Sequence, residues 1–432
     1  MQFHKMNTEP EKGNQSFLRS RNTAKILQAI RQNDSFSRID LAEHTNLDKK
    51  TVLNIVNDLL GKGMVRISDR LADGVGRPKD ILAINGDYAR YAGIDLGGTL
   101  LSGVVVNYAG EQIASHDVEV HNGMEPDTLI KLCIYLMDNL LKKAKLMEYG
   151  LGGIGISFPG FVSSAAAGSV TSEDLPKWQN IPIRKIFRDR YKLPVYVDDC
   201  SRLMALAELW FGKGRDCNNF LAADLGFGIG CGIVIDRKIF RGSNEKSGEI
   251  GHTLVDINGP PCTCGSHGCI EAFAAGWALS RQAQEIKQQH ADTLLFETGG
   301  NNAESPGFRQ VVLAANLGDP YCRDLLVRSG EYIGIGLSNA ISFFNPSRLI
   351  IGGPLIKDNE IMLGSIVKTI KSKCMKLILD DVDITASELS SNASAWGAGI
   401  SCILGAEREL FSSIQNRQNT DSEPVLHDTA AT

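Results

Sequence analysis

Apolar residues recur at helical spacing in three short segments near the start of the chain, at residues 23–32, 38–44 and 49–62. Ser37 and Asp48 stand directly before the second and third segments, where their side chains can cap the first helical turn. Only a tight turn separates these two segments. The pattern predicts three helices, the last two forming a helix-turn-helix. The apolar positions of the second segment are Ile39, Leu41 and Ala42.

The third predicted helix has an apolar and a polar side. The apolar side consists of Val52, Ile55, Val56, Leu59 and Leu60, and the polar side of Lys49, Lys50, Thr51, Asn54 and Asn57. A helix fits the major groove of DNA, where its first turn must reach phosphates and base edges. Lysine suits phosphates, and threonine and asparagine suit bases. The polar side therefore predicts a DNA-binding surface, although a three-helix packing module with a solvated face would show the same pattern.

A Gly-rich loop at residues 73–78 follows the helices and predicts the wing of a winged helix-turn-helix. Arg77 in this loop is stiffened by Pro78, and an arginine held in this way suits a narrow minor groove.

From Tyr91 onward, apolar runs that predict strands alternate with segments that predict helices, as in an α/β protein. An Asp-Leu-Gly turn at residues 93–99 recurs in character at 223–230, and an apolar run follows each copy. The repetition predicts two similar lobes that face a cleft. Backbone amides in these turns can approach phosphates, but turns that merely join strands would look the same. The residues concerned are Gly97, Gly98, Thr99, Gly226 and Gly228.

Composition places the chain among ordinary globular proteins, since 43% of its 432 residues are hydrophobic and 22% are charged. The formal net charge is −5, but residues 17–80 carry +4 and the remainder carries −9. A basic head favours an anionic polymer as partner. The sequence contains no run of about 18 apolar residues, so it predicts no membrane span. Residues 1–15 lack the apolar segment of a secretory signal, so a cytoplasmic location is expected.

These patterns together predict how the chain is divided. A winged helix-turn-helix is expected at 17–82, a first lobe at 89–200, a second lobe at 201–411, and flexible tails at 1–16 and 412–432.

Three of the ten cysteines, Cys262, Cys264 and Cys269, are clustered in a Gly-rich loop, and His252 lies ten positions before them. Zinc prefers four such ligands in a tetrahedron. The cluster therefore predicts a zinc site that is structural, because protein side chains fill all four positions. A set of reduced thiols beside a core histidine is the alternative. His267 in the same loop is expected at the surface.

Further motifs lie along the body. They are Ile94-Asp95-Leu96-Gly97-Gly98-Thr99, Gly155-Ile156-Ser157-Phe158-Pro159-Gly160, Gly248-Glu249-Ile250-Gly251-His252, residues 262–271, Asn345-Pro346 and Ile350-Ile351-Gly352-Gly353. These motifs resemble those of the ROK family, which groups sugar-responsive repressors with sugar kinases. The resemblance implies a two-lobed, actin-like ATPase (sugar-kinase-like) domain after the winged helix-turn-helix. It also implies that His252 and the three cysteines bind zinc.

The same resemblance implies a sugar site. Glu249, His252 and Glu271 match family residues that contact sugar hydroxyls. Asp174 stands where the family has an asparagine, and is a further candidate.

Family kinases carry an Asn-Asp pair before a helix, and the aspartate is the general base. An ungapped match of the helix places Asp199 at the asparagine and Cys200 at the base. A thiol is a poor proton acceptor at neutral pH, so this match predicts that the chain is not an enzyme and that Asp199 accepts a sugar hydroxyl. A shift by one residue would instead make Asp199 the base. Leu100 also replaces a lysine that is frequent in the kinases.

The sequence thus predicts a sugar-responsive repressor that binds double-stranded operator DNA as a homodimer or homotetramer. The helix at residues 203–208 resembles that of xylose-type repressors, which favours a pentose as the ligand. The alternatives are an ATP-dependent sugar kinase with a DNA-binding head, and a constitutive DNA-binding protein whose body only dimerises.

Overall fold

The computed structural model describes residues 15–33, 35–71, 78–98, 100–120, 124–144, 150–163, 169–172, 177–298, 306–389 and 392–420, with side chains except at 15, 16, 163 and 412–420. It forms two compact units. The head takes the described parts of Met1–Ala89, Asn107–Glu111 and Ile403–Thr432, and the body takes those of Arg90–Val106 and Gln112–Cys402. Three predicted site residues, Arg77, Thr99 and Asp174, lie outside the described residues.

The head has the predicted three helices followed by a two-stranded antiparallel sheet. The elements are α1 (Gln15–Gln32), α2 (Arg38–Thr45), α3 (Lys49–Gly61), β1 (Val65–Leu71), β2 (Lys79–Ile84) and a 3-10 turn at Gly86–Tyr88. Both predicted caps are present. Ser37 and Asp40 form a capping box at α2, and Asp48 accepts a hydrogen bond from the backbone N–H of Thr51 at 2.8 Å at α3.

The first helix of the head is longer than the sequence predicts, and one apolar residue of the second helix is exposed. Helix α1 begins at Gln15, earlier than the predicted residue 23. Ile39 does not share the inner face of α2, since it is 45% exposed whereas Leu41 is fully buried. Residues two positions apart on a helix point in different directions, so Ile39 and Leu41 cannot both face the core.

The body contains two five-stranded sheets with helices around them. The first half comprises β3 (Arg90–Leu96), β4 (Leu100–Asn107), β5 (Gln112–Glu119), α4 (Pro126–Lys143), β6 (Ile154–Phe158), β7 (Phe161–Ser163), β8 (Ser169–Thr171), α5 (Ile183–Tyr191), β9 (Val195–Asp199) and α6 (Cys200–Phe211). The second half begins with β10 (Phe220–Leu225), β11 (Ile229–Ile235), β12 (Lys238–Ile239), a 3-10 turn at Ile250–His252, α7 (Ile270–Ala274), α8 (Gly276–Gln289), α9 (Leu295–Thr298) and α10 (Phe308–Asn316). It ends with α11 (Pro320–Phe344), β13 (Arg348–Gly352), α12 (Glu360–Lys373), α13 (Lys376–Leu379), β14 (Asp383–Ala386) and α14 (Ala393–Thr420), whose C-terminal part belongs to the head. Among the described residues, no helix combines the length and the apolar character that a membrane span requires.

The two sheets repeat one arrangement, as the duplicated turn predicts. The strand orders are β5-β4-β3-β6-β9 and β12-β11-β10-β13-β14. In the first sheet β3, β6 and β9 run parallel, and in the second β10, β13 and β14 do so. Each parallel set adjoins an antiparallel hairpin pair at one edge, β4–β5 or β11–β12. The two Asp-Leu-Gly turns therefore take equivalent places in the two halves.

The C-terminal helix α14 packs against the first sheet although it follows the second in sequence. Gly93 and Gly155 make this possible, because a Cβ atom on either would lie 1.9 Å from the carbonyl oxygen of Ala395 or Ala398. Helix α14 continues to Thr420, past residue 412 where the polar sequence predicts a flexible tail.

Candidate functional site

The exposed side of α3 is the candidate DNA-binding surface. Lys49, Lys50, Asn54 and Asn57 are exposed, and Thr51 is partly exposed. They are presented in this way because Val52, Ile55, Val56 and Leu59 are buried on the opposite side of the helix. Leu60, predicted on the inner side, is only half-buried.

Sequence reasoning did not single out Arg38, which opens α2 beside this surface. Its guanidinium donates to Oδ1 of Asn57 at 3.3 Å and pairs with Asp80 of β2 at 3.2 Å. Arg70 of β1 pairs with the same carboxylate at 3.2 Å. Arg38 therefore adds positive charge next to Asn57 and orients that amide. No local pattern reveals these contacts, because Arg38, Asn57 and Asp80 belong to three different elements.

The predicted metal ligands His252, Cys262, Cys264 and Cys269 are brought together, with their ligand atoms all within 4.8 Å of one another. The Cys264 and Cys269 sulfurs are 3.8 Å apart, and the Cys262 sulfur is 3.6 Å from Nδ1 of His252. A tetrahedral zinc with Zn–S near 2.3 Å and Zn–N near 2.0 Å places such pairs about 3.8 and about 3.5 Å apart. The donor set and its spacing fit a tetrahedral metal.

The loop that carries these ligands is closed by its own backbone. The N–H of Cys262 donates to the carbonyl of Ser266 at 2.8 Å, and that of Gly268 donates to the carbonyl of Pro260 at 2.8 Å. Gly268 has a φ of +69°, and a Cβ there would lie 1.6 Å from the carbonyl oxygen of Asp256. His267 is exposed, as expected.

The predicted sugar residues Glu249 and Glu271 flank this metal centre. Glu271 is 2% exposed in the first turn of α7, two residues after Cys269, and its Oε2 accepts a hydrogen bond from the N–H of Ile229 at 2.8 Å. Glu249 is half-buried and directly precedes the 3-10 turn that carries His252. Both carboxylates thus stand within three residues of a metal ligand, and Glu271 is fastened beside the second Asp-Leu-Gly turn.

Asp199 and Cys200 occupy the start of α6. Asp199 is the N-cap, and its Oδ1 accepts hydrogen bonds from the hydroxyl of Ser201 at 2.9 Å and the N–H of Arg202 at 3.2 Å. Cys200 is the first helical residue. Burial raises the pKa of the Cys200 thiol well above its ordinary value, and the charge of Asp199 raises it further. The thiol is therefore protonated at neutral pH.

A cavity of about 510 Å³ lies between the two duplicated turns. Its lining includes the predicted glycines Gly97, Gly98, Gly226 and Gly228, together with Cys200. Among the described residues, Asp199, Glu249, His252 and Glu271 are not part of that lining. Two of them nevertheless adjoin the cavity, because Asp199 precedes the lining residue Cys200 and Glu271 binds the N–H of Ile229, which directly follows the lining residue Gly228.

Two further carboxylates in the cavity wall, Asp95 and Asp224, were not singled out as site residues. Burial raises the pKa of Asp95 to about 6. Burial and then the charges of Asp95 and Asp199 raise the pKa of Asp224 to about 7. The charges of Asp95, Asp199 and Asp224 therefore repel one another beside the cavity. The signal in the sequence was the repeated Asp-Leu-Gly turn, whose aspartates take the same place in each half.

Comparison with known proteins covers both units. The sequence profile of the ROK family matches residues 91–402, and that of winged helix-turn-helix DNA-binding domains matches residues 19–66. The chain is 30% identical to the xylose repressor of Caldicellulosiruptor bescii over 385 residues, which cover 89% of this chain and 96% of that protein.

Two solved structures are also similar. One is a ROK family transcriptional regulator, a homologue of the E. coli MLC protein, with a TM-score of 0.74 and 23% identity over 92% of this chain and 98% of its own. The other is a ROK family glucokinase from Streptomyces griseus in complex with glucose and AMPPNP, with a TM-score of 0.65 and 26% identity over 72% of this chain and 98% of its own. These matches confirm the predicted architecture of a winged helix-turn-helix followed by a sugar-kinase-like domain.

Proposed function

Since the chain belongs to the ROK family, we propose that it is a sugar-responsive transcriptional repressor, which binds operator DNA through its head and releases it when a sugar occupies the body. Two findings support this function over that of a kinase. The head matches the profile of winged helix-turn-helix DNA-binding domains, and 89% of the chain is similar to a xylose repressor.

The observation that carries the proposal is the environment of Cys200. In the ungapped match this thiol stands where the family kinases have the carboxylate that removes a proton from the sugar hydroxyl. Its raised pKa keeps it protonated, so it cannot accept that proton. The neighbouring Asp199 is engaged in capping α6 and is a better candidate for holding a sugar hydroxyl than for transferring its proton.

On the DNA side, we assign Lys49 and Lys50 to phosphates, and Thr51, Asn54 and Asn57 to base edges in the major groove. Arg77 is assigned to the minor groove. A homodimer or homotetramer would place two heads on half-sites roughly 34 Å apart, which is one turn of the double helix.

On the ligand side, we assign Asp199, Glu249, His252 and Glu271 to sugar hydroxyls, with Asp174 as a further contact. Carboxylates suit this task because one group can accept hydrogen bonds from two adjacent hydroxyls. His252 can serve both sites, because its Nδ1 faces Cys262 and its Nε2 remains for a hydroxyl. The name of the similar xylose repressor favours a pentose such as xylose.

We assign the metal to zinc, held by His252, Cys262, Cys264 and Cys269. Four protein ligands leave no open position, so a bound zinc would serve structure and not chemistry. Its contribution would be to hold the segments before and after the loop, and with them Glu249 and Glu271, at a constant separation. The glycines Gly97, Gly98, Gly226 and Gly228, with Thr99, are the positions where a phosphate could approach backbone amides, but the proposed repressor needs none there.

The test is the affinity of the full chain for a duplex, with and without D-xylose. The duplex is recovered by selection with the full chain from a random-sequence library, and binding is followed by fluorescence anisotropy. Typical coupling free energies correspond to a 5- to 150-fold weakening by the sugar. Glu271→Gln should abolish this response and leave affinity without sugar within about threefold. Failure to select any duplex, or an affinity unchanged by xylose, glucose and N-acetylglucosamine alike, would overturn the proposal.

A second measurement separates the repressor from a kinase. ADP release with ATP and each of these sugars should stay at the background of a sample without sugar. Steady turnover that is lost in Asp199→Asn would favour the one-residue shift, with Asp199 as general base, and would refute the assignment made here.

A further inference from the structure

The head includes two pieces of chain that lie far from its first three helices in sequence, the hairpin tip at Asn107–Glu111 and the part of α14 from Ile403 to Thr420. They meet α1 at a buried group of three side chains. Arg31 of α1 and Glu407 of α14 form an ion pair in which the two terminal guanidinium nitrogens donate to the two carboxylate oxygens. The side chain of Arg31 is only 8% exposed and that of Glu407 only 7%. The hydroxyl of Tyr108 donates to the same carboxylate at 2.5 Å. We call Arg31, Tyr108 and Glu407 the head triad.

The contacts of the head triad are buried, and they also fix the relative orientation of its side chains. An arginine that meets a carboxylate through two nitrogens fixes both distance and orientation, unlike apolar packing, which tolerates sliding. The Tyr108 ring lies beneath the guanidinium, 5.1 Å from Cζ of Arg31, and packs against the ring of Tyr88 at 4.8 Å between centroids. A displacement of Tyr108 or Glu407 must therefore move α1 or break the ion pair.

Tyr108 directly follows β4, and Glu407 lies in α14. The other end of each of these two elements lines the cavity of the body. Strand β4 begins at Leu100, a lining residue, and the chain reaches Tyr108 one residue after the strand ends. Helix α14 begins at Ala393 and Ser394, also lining residues, and reaches Glu407 without a break. A strand and a helix are stiff along their lengths, so a shift at the cavity end is transmitted to the triad end.

We propose that the head triad couples sugar binding to DNA binding, with Arg31 as the positioning residue that transmits movement of β4 and α14 to the helices that carry the DNA surface. The inference rests on the proposed function and names how that function is regulated. Its specific content is that the triad governs the sugar response and not the binding of either ligand alone.

The experiment compares the full chain with two variants that remove the triad in different ways. In Arg31→Met with Glu407→Leu, apolar groups of similar length replace the ion pair, so that no unpaired charge stays buried. Tyr108→Phe removes one hydroxyl and leaves the ring and the charges in place. Operator affinity is measured with and without D-xylose, and xylose affinity is measured by calorimetry with and without the selected duplex.

The expected result is a loss of coupling in both directions. For the double variant, the weakening of operator affinity by xylose should fall below about twofold, and Tyr108→Phe should reduce it at least threefold. Affinity for either ligand alone should stay within about threefold of the unmodified chain. Linkage requires that the effect of the duplex on xylose affinity falls by the same factor, which loss of folding would not reproduce.

A matched control exists in the body, where Arg190, Asp138 and Tyr191 form a second arginine–carboxylate–tyrosine group. The hydroxyl of Tyr191 donates to Asp138 at 2.9 Å, and Arg190 pairs with Asp138 at 2.8 Å. Tyr191→Phe removes the same chemical group and should leave the sugar response unchanged.

An unchanged sugar response in Tyr108→Phe, or one equal to that of Tyr191→Phe, would overturn the role of the head triad even if the double variant fails to fold. An unmodified chain that shows no sugar response would instead refute the proposed function itself.

Discussion

Asp198 and Arg202 form an ion pair across the first turn of α6, with 2.8 Å between Oδ1 and Nε and side chains 9% and 3% exposed. Arg202 also donates to the carbonyl of Glu245 at 3.2 Å, and Arg241 pairs with the second carboxylate oxygen. Burial alone would raise the pKa of Asp198, but the two arginines outweigh it and hold that pKa below its ordinary value. The pair ties the loop before Glu249 to the start of α6, where Asp199 and Cys200 lie.

The first prediction concerns this pair. Asp198→Asn leaves two arginines without their carboxylate, and we expect it to lower the free energy of unfolding by about 3–5 kcal/mol. The measurement is urea unfolding followed by circular dichroism. Asp189→Asn is the control, because Asp189 forms an exposed ion pair with Lys185 at the same four-residue spacing, and it should change stability far less. Equal effects of the two substitutions would show that burial does not strengthen the Asp198 pair.

The second prediction concerns pH. Asp224 has a pKa of about 7 in the folded protein and near 3.9 in an unfolded chain. At a pH between these two pKa values, Asp224 is more often protonated in the folded state than in the unfolded state. The free energy of unfolding therefore falls as pH rises from about 4 to about 7. Asp224→Asn should therefore be more stable than the unmodified chain at about pH 8, by on the order of a few kcal/mol. Urea unfolding from about pH 5 to about pH 8 tests this.

The control for the pH experiment is Asp236→Asn, which changes an exposed aspartate after β11 and should leave the pH profile as it was. A profile for Asp224→Asn that runs parallel to that of the unmodified chain would contradict the prediction.

The third prediction concerns the metal centre. Inductively coupled plasma mass spectrometry should find one zinc ion per molecule of the purified chain. Cys264→Ser should lose the zinc, because the substitution removes one of its four ligands. Loss of the metal should lower the melting temperature and weaken xylose binding, since Glu249 and Glu271 flank the loop. Cys374→Ser is the control, because Cys374 is a partly exposed thiol at the end of α12. A Cys264→Ser variant that keeps its full zinc content would refute the ligand assignment.

The fourth prediction separates two kinds of DNA contact. Lys50→Ala should weaken binding to all duplexes about equally and reduce the slope of log affinity against log salt concentration by about 1. Asn54→Ala should instead cost about 1–3 kcal/mol on the selected duplex and relax its preference at one base pair. Fluorescence anisotropy over a salt series measures both. Lys371→Ala, on the exposed side of α12, should change neither quantity, and equal effects of Lys50→Ala and Lys371→Ala would indicate a general influence of charge.

Parts of this molecule were predictable because their causes are close together in sequence. The caps of α2 and α3 use side chains within three residues of the amides they bind. The metal ligands span only residues 252–269, and the chain between them is short and rich in glycine. The duplicated turn predicted two similar halves because each copy is followed directly by its own hairpin strand.

Other features depend on residues that the chain brings together over long distances. Ile39 is one of three apolar residues in α2, but the packing of this helix leaves it exposed. Helix α1 extends to Gln15, and there the hydroxyl of Ser20 donates to the carbonyl of Phe411 at 3.3 Å. A contact between residues separated by most of the chain leaves no periodic signal in either segment.

The sequence by itself determined that this is a DNA-binding protein with a sugar-kinase-like body. Three features indicated it: a capped helix-turn-helix, a cluster of one histidine and three cysteines, and a thiol at the position of the catalytic carboxylate. Only the tertiary structure decided which charges meet, since the pairing of Arg31 with Glu407 and the mutual repulsion of Asp95 and Asp224 follow from packing. The physical reason is range. Helical periodicity, caps and short loops are set by neighbours along the chain, whereas burial and ion pairing depend on which surfaces the fold brings into contact.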